Sequence, residues 1–356
     1  MSHSDTSGAI DPTATADGWD RFVADAASGS YLQTTAWARV KAANGWSARR
    51  VVAGPAHRPI GAQVLIRRLA PLPWGLAYAP RGPVVAEWSS GALADFTAEL
   101  RAELRGDPMR PAVVRIEPPL EAGARTVDGH PIEAVLRSLG WWRASPVQPP
   151  TTRIIDLRRP ESDVWADMRG KWRQYVGHAR RAGVTVVPGA DDDLARFHQL
   201  LRETARRTGM RTRSEASLRV LWGAIAVRED GRLLFAVDPA GQTLAGLLLV
   251  RCGDRFVELY GGMSADGGPM RANYLLKWEA IRQARDEGGA SYDLWGVVNP
   301  GIAHFKAGFG GRLVEYAGAF ELPLARFGAP LVQFAIAMRA RIRRRGGASP
   351  DPGANP

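Results

Sequence analysis

Cysteine is nearly absent from this chain: among 356 residues there is one, Cys252. No intrachain disulfide can form, and no Cys-x-x-Cys or Cys/His zinc spacing exists. Cys252 sits in LAGLLLVRCGD, which reads as a buried strand ending in a turn, so we take it as a small core residue rather than a nucleophile. The six histidines show no metal spacing either. No run of 18 apolar residues occurs, which excludes a helical membrane span. The opening stretch, MSHSDTSGAIDPTATADG, is polar and lacks the apolar segment of a secretory signal, so a cytoplasmic location is expected. Residues 1–16 and 346–356, poor in large apolar side chains, are expected to be disordered.

Positive charge is in excess. Lys and Arg number 47 against 36 Asp and Glu, a net charge of +11. That balance favours anionic partners: nucleic acid, phosphorylated metabolites or an acidic membrane face. It does not choose among them, because an Ala-, Arg- and Gly-rich composition also arises from genomic base composition. With 45% hydrophobic residues the chain can bury a sizeable core, and its length suggests two domains.

Helical and strand patterns alternate, which argues for a mixed α/β protein. GWDRFVADA and GALADFTAELRAEL read as helices; ARRVVAG, PIGAQVLIRRL and PAVVRIEP read as strands. A second series begins at TTRIIDL. It continues through the helices SDVWADMRGKWRQYVGHARRAG and DDDLARFHQLLRETARR, then the strands RLLFAVD, TLAGLLLVRCG and RFVELYGG. A helix over 272–285 and the strand SYDLWG follow. Two stretches share one plan: a strand, a Pro-Ala turn, a Gly-containing strand and a tyrosine at a strand end. Pro55-Ala56 and Pro239-Ala240 lie 184 residues apart, with Tyr78 and Tyr260 at similar places, which suggests an internal duplication. The domains expected are residues 17–150 and 151–325, followed by a basic amphipathic helix over 326–345.

Near the end of the chain, HFKAGFGG sets one lysine, Lys306, between Phe305 and Phe309 in a glycine-rich turn. Glycine permits the tight turn, and flanking phenylalanines exclude water. An ammonium so framed suits a phosphate or a developing anion better than open solvent.

The order of hairpin, central strand, loop, helix and strand in the second half resembles an acyltransferase core of the N-acetyltransferase (GNAT) type. In that fold a glycine-bearing loop and a helix N-terminus hold the coenzyme A pyrophosphate. Here the loop is GGPMRANYLLKWEAI, and the side chains of Met270, Arg271 and Asn273 would crowd a pyrophosphate. No cofactor is therefore expected, and the acyl group must arrive on another carrier.

Six blocks in order then resemble the Fem family of peptidoglycan bridge-forming aminoacyltransferases. They are YLQTTAWARVKAANGW, YAPRGPV, VVRIEPPL, GKWRQYVGHARRAGV, LYGGMS with the helix and strand that follow, and HFKAGFGGRLVEYAGAFELPL. The resemblance runs from about Tyr31 to Leu324 and implies two tandem GNAT-like domains. It also implies an aminoacyl-tRNA donor and, as acceptor, an amine on the stem peptide of a lipid-linked or nucleotide-linked peptidoglycan precursor. Lys306 and Phe305 are then the catalytic candidates, Lys306 as the cation beside the tetrahedral oxyanion of ester aminolysis. Trp37, Lys41, Tyr78, Glu117, Arg213, Tyr260 and Asn273 are the substrate-binding candidates. Lys41 and Arg213 would neutralise the acceptor diphosphate. Tyr260 would point where two central strands part, and Glu117 would meet the incoming amine. Asp293 is given a structural role, and His304 none in catalysis.

The chain departs from the family at three places. Glu117 stands where aspartate is usual, Ser217 stands four residues after Arg213 where tyrosine is frequent, and no long helical arm falls between Gly189 and Gly231. Ser217 keeps open an acceptor that is a small amine of an antibiotic pathway. A coenzyme A-dependent acyltransferase and a non-catalytic nucleic-acid-binding module are the remaining alternatives. The arginine-rich tail after APLVQFAIAM suits an anionic membrane surface, which would make the protein peripheral at the inner face of the membrane.

Overall fold

The computed structural model describes residues 15–209, 212–297 and 299–345. Among them the chain forms two compact units, residues 15–145 with 317–335 and residues 146–316 with 336–345. Of the ends expected to be disordered, residues 1–14 and 346–356 lie outside the described residues. Thr15 and Ala16 do not: Thr15 accepts the Gly18 amide at 2.9 Å and so caps the first helix.

In the first unit the elements run α1 (Ala16–Asp25), α2 (Thr35–Ala42), β1 (Ser47–Ala53), β2 (Ile60–Arg68), β3 (Gly75–Ala79) and β4 (Val84–Val85). Then come α3 (Ser90–Arg105), β5 (Pro111–Ile116), α4 (Ile132–Ser138) and β6 (Trp142–Ala144). In the second unit they run β7 (Thr151–Asp156), α5 (Glu161–Asp167), α6 (Gly170–Arg181), β8 (Thr185–Pro188), α7 (Leu194–Thr208) and α8 (Glu215–Ala226). The unit continues with β9 (Gly231–Val237), β10 (Thr243–Cys252), β11 (Arg255–Met263), α9 (Ala272–Asp286), β12 (Ser291–Asp293), α10 (Pro300–Ala307) and β13 (Arg312–Glu315). The chain then returns to the first unit as β14 (Ala319–Pro323) and ends in α11 (Gly328–Arg345).

Each unit is built on a seven-stranded sheet of the described residues. The first is ordered β1-β2-β3-β5-β14-β6, with β4 on β2; the second is ordered β13-β7-β12-β11-β10-β9-β8. The same motif recurs in both. An antiparallel meander (β1-β2-β3; β9-β10-β11) is followed by a helix (α3; α9) and then by a strand parallel to the last of the meander (β5; β12). A parallel pair needs such a crossover, whereas the hairpins close through short turns. The expected second domain, 151–325, took in β14. The structure instead pairs β14 with β5 and β6 of the first sheet, where Phe320 and Leu322 join the core.

Local sequence explains the crossover helices. Ser89 caps α3 by accepting the Ala92 amide, and Leu93, Phe96, Leu100 and Leu104 recur on one buried face until Gly106 ends the helix. That face packs with Ile60, Val64, Ile66 and Trp141. In α9 the buried face is Ala272, Leu275, Leu276, Ala280, Ile281 and Ala284, packed with Leu247, Leu249, Phe256 and Tyr292. Each large apolar side chain so buried contributes ~1.5–3 kcal/mol.

The segment read as one helix from Ser162 to Gly183 is two. It breaks at Met168, which is extended, and the Arg169 amide then donates to the Gly308 carbonyl at 2.9 Å. Arg173 covers the end of α5, donating to the Ala166 and Met168 carbonyls at 2.6 and 2.9 Å. No helix of the described residues exceeds 18 residues, so there is no long arm among them.

Candidate functional site

The parallel pair β11–β12 is short. Its register covers Arg255↔Ser291 to Val257↔Asp293; β12 then stops while β11 runs on to Met263. The two strands therefore part beyond Val257. Tyr260, half-buried, lies on the part of β11 past that point, and its hydroxyl accepts a hydrogen bond from Arg213 Nε. Asp293 at the end of β12 accepts both the Thr152 hydroxyl and, at 2.7 Å, the Trp295 amide. This ties down a turn in which Trp295 and Gly296 have φ of 52° and 33°.

Lys306 is held on that turn. Its Nζ donates to the Trp295 carbonyl and, at 2.7 Å, to the Gly296 carbonyl. The ammonium is thus fixed at the carboxyl end of β12, where β11 leaves it. Lys306 does not lie in the glycine turn itself, as its sequence suggested, but in the last turn of α10. Asn299 caps α10 through the Ile302 amide at 2.9 Å, and Pro300 occupies the first turn. The glycines follow the helix and serve packing: a Cβ on Gly308 would stand 2.3 Å from the Trp172 indole, and one on Gly311 2.5 Å from the Ile154 carbonyl.

Aromatic rings surround Phe305. Tyr274 and Phe309 lie at 5.3 Å from it edge to face, and Trp172 and Tyr175 lie at 5.4 and 4.8 Å from Tyr274. Trp172 Nε1 donates to the Phe305 carbonyl at 3.0 Å. Beneath them is a buried polar group that sequence reasoning missed. Glu258 accepts Lys277 Nζ on one oxygen and the Tyr292 hydroxyl on the other, the latter at 2.8 Å, and all three residues are buried. The signal was present: Lys277 interrupts the buried face of α9, and Glu258 sits among Phe256, Val257 and Leu259. Lys277 Nζ lies 5.7 Å from the centre of the Phe305 ring.

This setting depresses the Lys306 pKa to about 8. Burial is the main cause and the Lys277 charge the second, while Glu258 and Asp293 pull the other way. Burial also pushes the Tyr292 hydroxyl well above the usual phenol range, with the Glu258 carboxylate adding to it. The lysine remains charged at pH 7, held in a semi-dry place by two carbonyl dipoles.

The loop before α9 is not arranged as a phosphate cradle. The amides of Arg271 and Ala272 donate to the Gly268 and Gly267 carbonyls at 3.1 and 3.0 Å, and Arg271 has a φ of 58°. Those donors are used inside the loop, which does not fit a coenzyme A pyrophosphate. Asn273, the second residue of α9, is half-buried.

In the first unit, Trp37 and Lys41 lie one turn apart on α2, both buried, with Lys41 Nζ 4.8 Å from the centre of the Trp37 ring. The Trp37 indole N–H is buried with no hydrogen-bond partner among the described residues. Tyr78 on β3 donates to Glu117 Oε1 at 3.0 Å, and both are buried. Glu117 follows β5, and its amide reaches the Ala79 carbonyl at 3.3 Å. The expected residues thus fall into a Trp37–Lys41 pair and a Tyr78–Glu117 pair in one unit. In the other they fall into an Arg213–Tyr260 pair and the Phe305–Lys306 turn.

A model of the FemAB family matches residues 14–219 and 231–336. The chain belongs to the FemAB family. Among curated relatives, the Lipid II:glycine glycyltransferase of Staphylococcus saprophyticus subsp. saprophyticus is 23% identical, covering 91% of this chain and 95% of the relative. That alignment runs over 404 positions, more than the 356 residues present here, so the relative carries insertions that this FemAB chain lacks. Among solved structures, FemX superposes with a TM-score of 0.80 at 22% identity, covering 90% of this chain and 98% of FemX. A tandem GNAT protein from the clavulanic acid biosynthesis pathway gives 0.50 at 15% identity, covering 89% and 97%. The fold is accordingly mixed α/β with two tandem GNAT-like domains.

Proposed function

We propose that the protein is an aminoacyltransferase that moves an amino acid from aminoacyl-tRNA to an amine on the stem peptide of a peptidoglycan precursor, forming an interpeptide bridge. The family and the glycyltransferase name borne by its relatives support a transfer onto a wall precursor. The observation that carries the chemistry is Lys306, a half-buried cation pinned by two carbonyls at the point where β11 and β12 separate.

The reaction is the aminolysis of an ester. A neutral amine of the acceptor attacks the carbonyl carbon, the C–N bond forms, and the carbonyl electrons move onto oxygen. On collapse the C–O bond to the tRNA ribose breaks, and the proton lost by the amine ends on the ribose oxygen. Charge is greatest on the tetrahedral oxyanion, and a prefixed ammonium lowers that state more than the uncharged ester. Lys306 fills this role, with Phe305 and its aromatic neighbours keeping water out. In the first unit the acceptor-binding groups are Glu117, held ready by Tyr78, and Lys41 beside Trp37. In the second they are Arg213 with Tyr260, and Asn273.

The test supplies purified protein with a pool of charged tRNAs and a muropeptide precursor, and reads the product by mass spectrometry. The expected product is heavier by one aminoacyl residue. An acetylated product formed from acetyl-CoA in place of charged tRNA would overturn the reading.

A second reading keeps the donor and changes the acceptor to a small-molecule amine. It draws on Ser217, which is engaged with Ser214 in the cap of α8, its amide and hydroxyl at 3.2 and 3.0 Å from Ser214 Oγ. The same assay, run with lipid-linked, nucleotide-linked and small-amine acceptors, separates the two readings. A lipid-linked acceptor would be met at a membrane surface.

A further inference from the structure

The outer face of α11 is apolar and uncovered. Phe327, just before the helix, is 77% exposed; Leu331, Phe334 and Met338 on it are 48%, 66% and 40% exposed. They follow one another at four, three and four residues. In helical geometry the three on α11 fall within an arc of about 60° over about 10 Å of its length.

The helix is already docked by another side, so this stripe is not a core face lacking its core. Ala329 and Val332 are buried, and Gln333 donates to the Glu321 carboxylate at 2.8 Å. Gly328 lies so near Trp74 and Ala112 that a Cβ there would stand 2.8 Å from each. Trp142, 61% exposed, pairs across the β6–β14 ladder with the same Glu321. Directly paired residues share a face, so an exposed indole stands on the sheet face that α11 covers. Directly after Met338, residues 339–345 of the same helix hold five arginines and no acidic residue.

We propose that α11 is a docking surface for an anionic lipid bilayer. The helix lies in the plane of the headgroups, with Phe327, Leu331, Phe334 and Met338 entering the acyl boundary and the positive charge of the segment that follows drawing it to anionic lipid. Charge selects this occupant. An apolar stripe continued in sequence by five arginines and no acidic residue matches a surface whose own layers are anionic outside and apolar within. An exposed tryptophan beside it is the side chain that settles at such a boundary. A second copy of the chain fits less well, since a stable dimer takes about 20–30 residues a side and this stripe offers four. No helix of the described residues is long and apolar enough to cross a membrane, so α11 lies on the surface. The inference deepens the proposed function and rests on it for its purpose, the capture of an acceptor that is itself held on lipid.

The experiment is vesicle flotation of the full chain. One set of vesicles holds equal parts of phosphatidylglycerol and phosphatidylcholine, the other phosphatidylcholine alone. The expected result is binding to the anionic vesicles only, weakening as salt rises. Leu331→Ser with Phe334→Ser should lower that binding on the order of tenfold to a hundredfold. Thermal unfolding of the variant should match the parent, because both side chains are already in water. Equal binding of parent and variant, or no preference for anionic vesicles, overturns the proposal. So does a dimer in sedimentation without vesicles that the variant abolishes, which would make a second copy the occupant. Transfer to a water-soluble muropeptide precursor is followed in parallel. Lost flotation with transfer intact ends the docking proposal alone; intact flotation without transfer ends the proposed function alone.

Discussion

Replacing Lys306 by methionine removes the ammonium while keeping most of the unbranched apolar stem. The ammonium is fixed in a semi-dry site by the Trp295 and Gly296 carbonyls. At about 4 Å and an effective dielectric of ~20, a unit charge stabilises an oxyanion by about 4 kcal/mol, or roughly a thousandfold in rate. Removal of one fixed donor from an oxyanion site costs on the order of 10²- to 10³-fold. Lys306→Met should therefore lower kcat/KM by about 10²- to 10³-fold in a transfer assay. Stability should change little, because losing a partly desolvated charge offsets the two carbonyls left without their donor. The pH profile carries the sign. With a pKa of about 8, Lys306 is charged below that value, and activity that needs the cation falls as pH rises through it. Lys306→Arg keeps a charge at every accessible pH, so it should retain part of the activity and lose the high-pH decline. For folding the direction is the reverse. The unfolded lysine titrates near 10.5, so protonation opposes the fold and this group's contribution improves between pH 8 and 10.5. Lys306→Met turning over within about fivefold of the parent, with the fold intact, would refute the reasoning.

Breaking the buried Glu258–Lys277 pair from one side, by Lys277→Met, should cost about 3–5 kcal/mol in denaturant unfolding, while Glu258→Gln with Lys277→Met should recover much of that loss. Gly308→Ala forces a methyl group against the Trp172 indole at 2.3 Å, so it should destabilise by about 1–3 kcal/mol and lower kcat by displacing Phe305. Asp293→Ala frees the Trp295 turn, on which Lys306 is held; we expect about a tenfold loss in kcat with KM nearly unchanged, read from steady-state kinetics.

Local pattern made much of the architecture readable, and the failures have physical causes. The helix expected over 272–285 ends one residue later, because its apolar face and the glycines that follow are signals carried within the segment itself. The break at Met168 was not readable. The one breaker beside it, Gly170, opens the next helix, and what stabilises the break is the Gly308 carbonyl, 139 residues after Arg169. Likewise β14 looks like any strand, and only non-local pairing with β5 and β6 assigns it to the first sheet. At the site, Lys306 stood out because its glycine and phenylalanine frame is local. The Asn299-Pro300 helix start beside it was equally local but was masked by the glycines. The Glu258–Lys277–Tyr292 group could be suspected residue by residue, yet its closure depends on β11, α9 and β12 meeting.

Whether an RNA ester supplies the acyl group is read in a single-turnover reaction with carbon-labelled aminoacyl-tRNA, purified protein and a lipid-linked precursor. Label should appear on the stem peptide, prior ribonuclease treatment should abolish this, and Lys306→Met should slow it by about 10²-fold or more. Label that stays on tRNA with every charged species, while an acyl-coenzyme A acylates the same precursor, would contradict an RNA-ester donor.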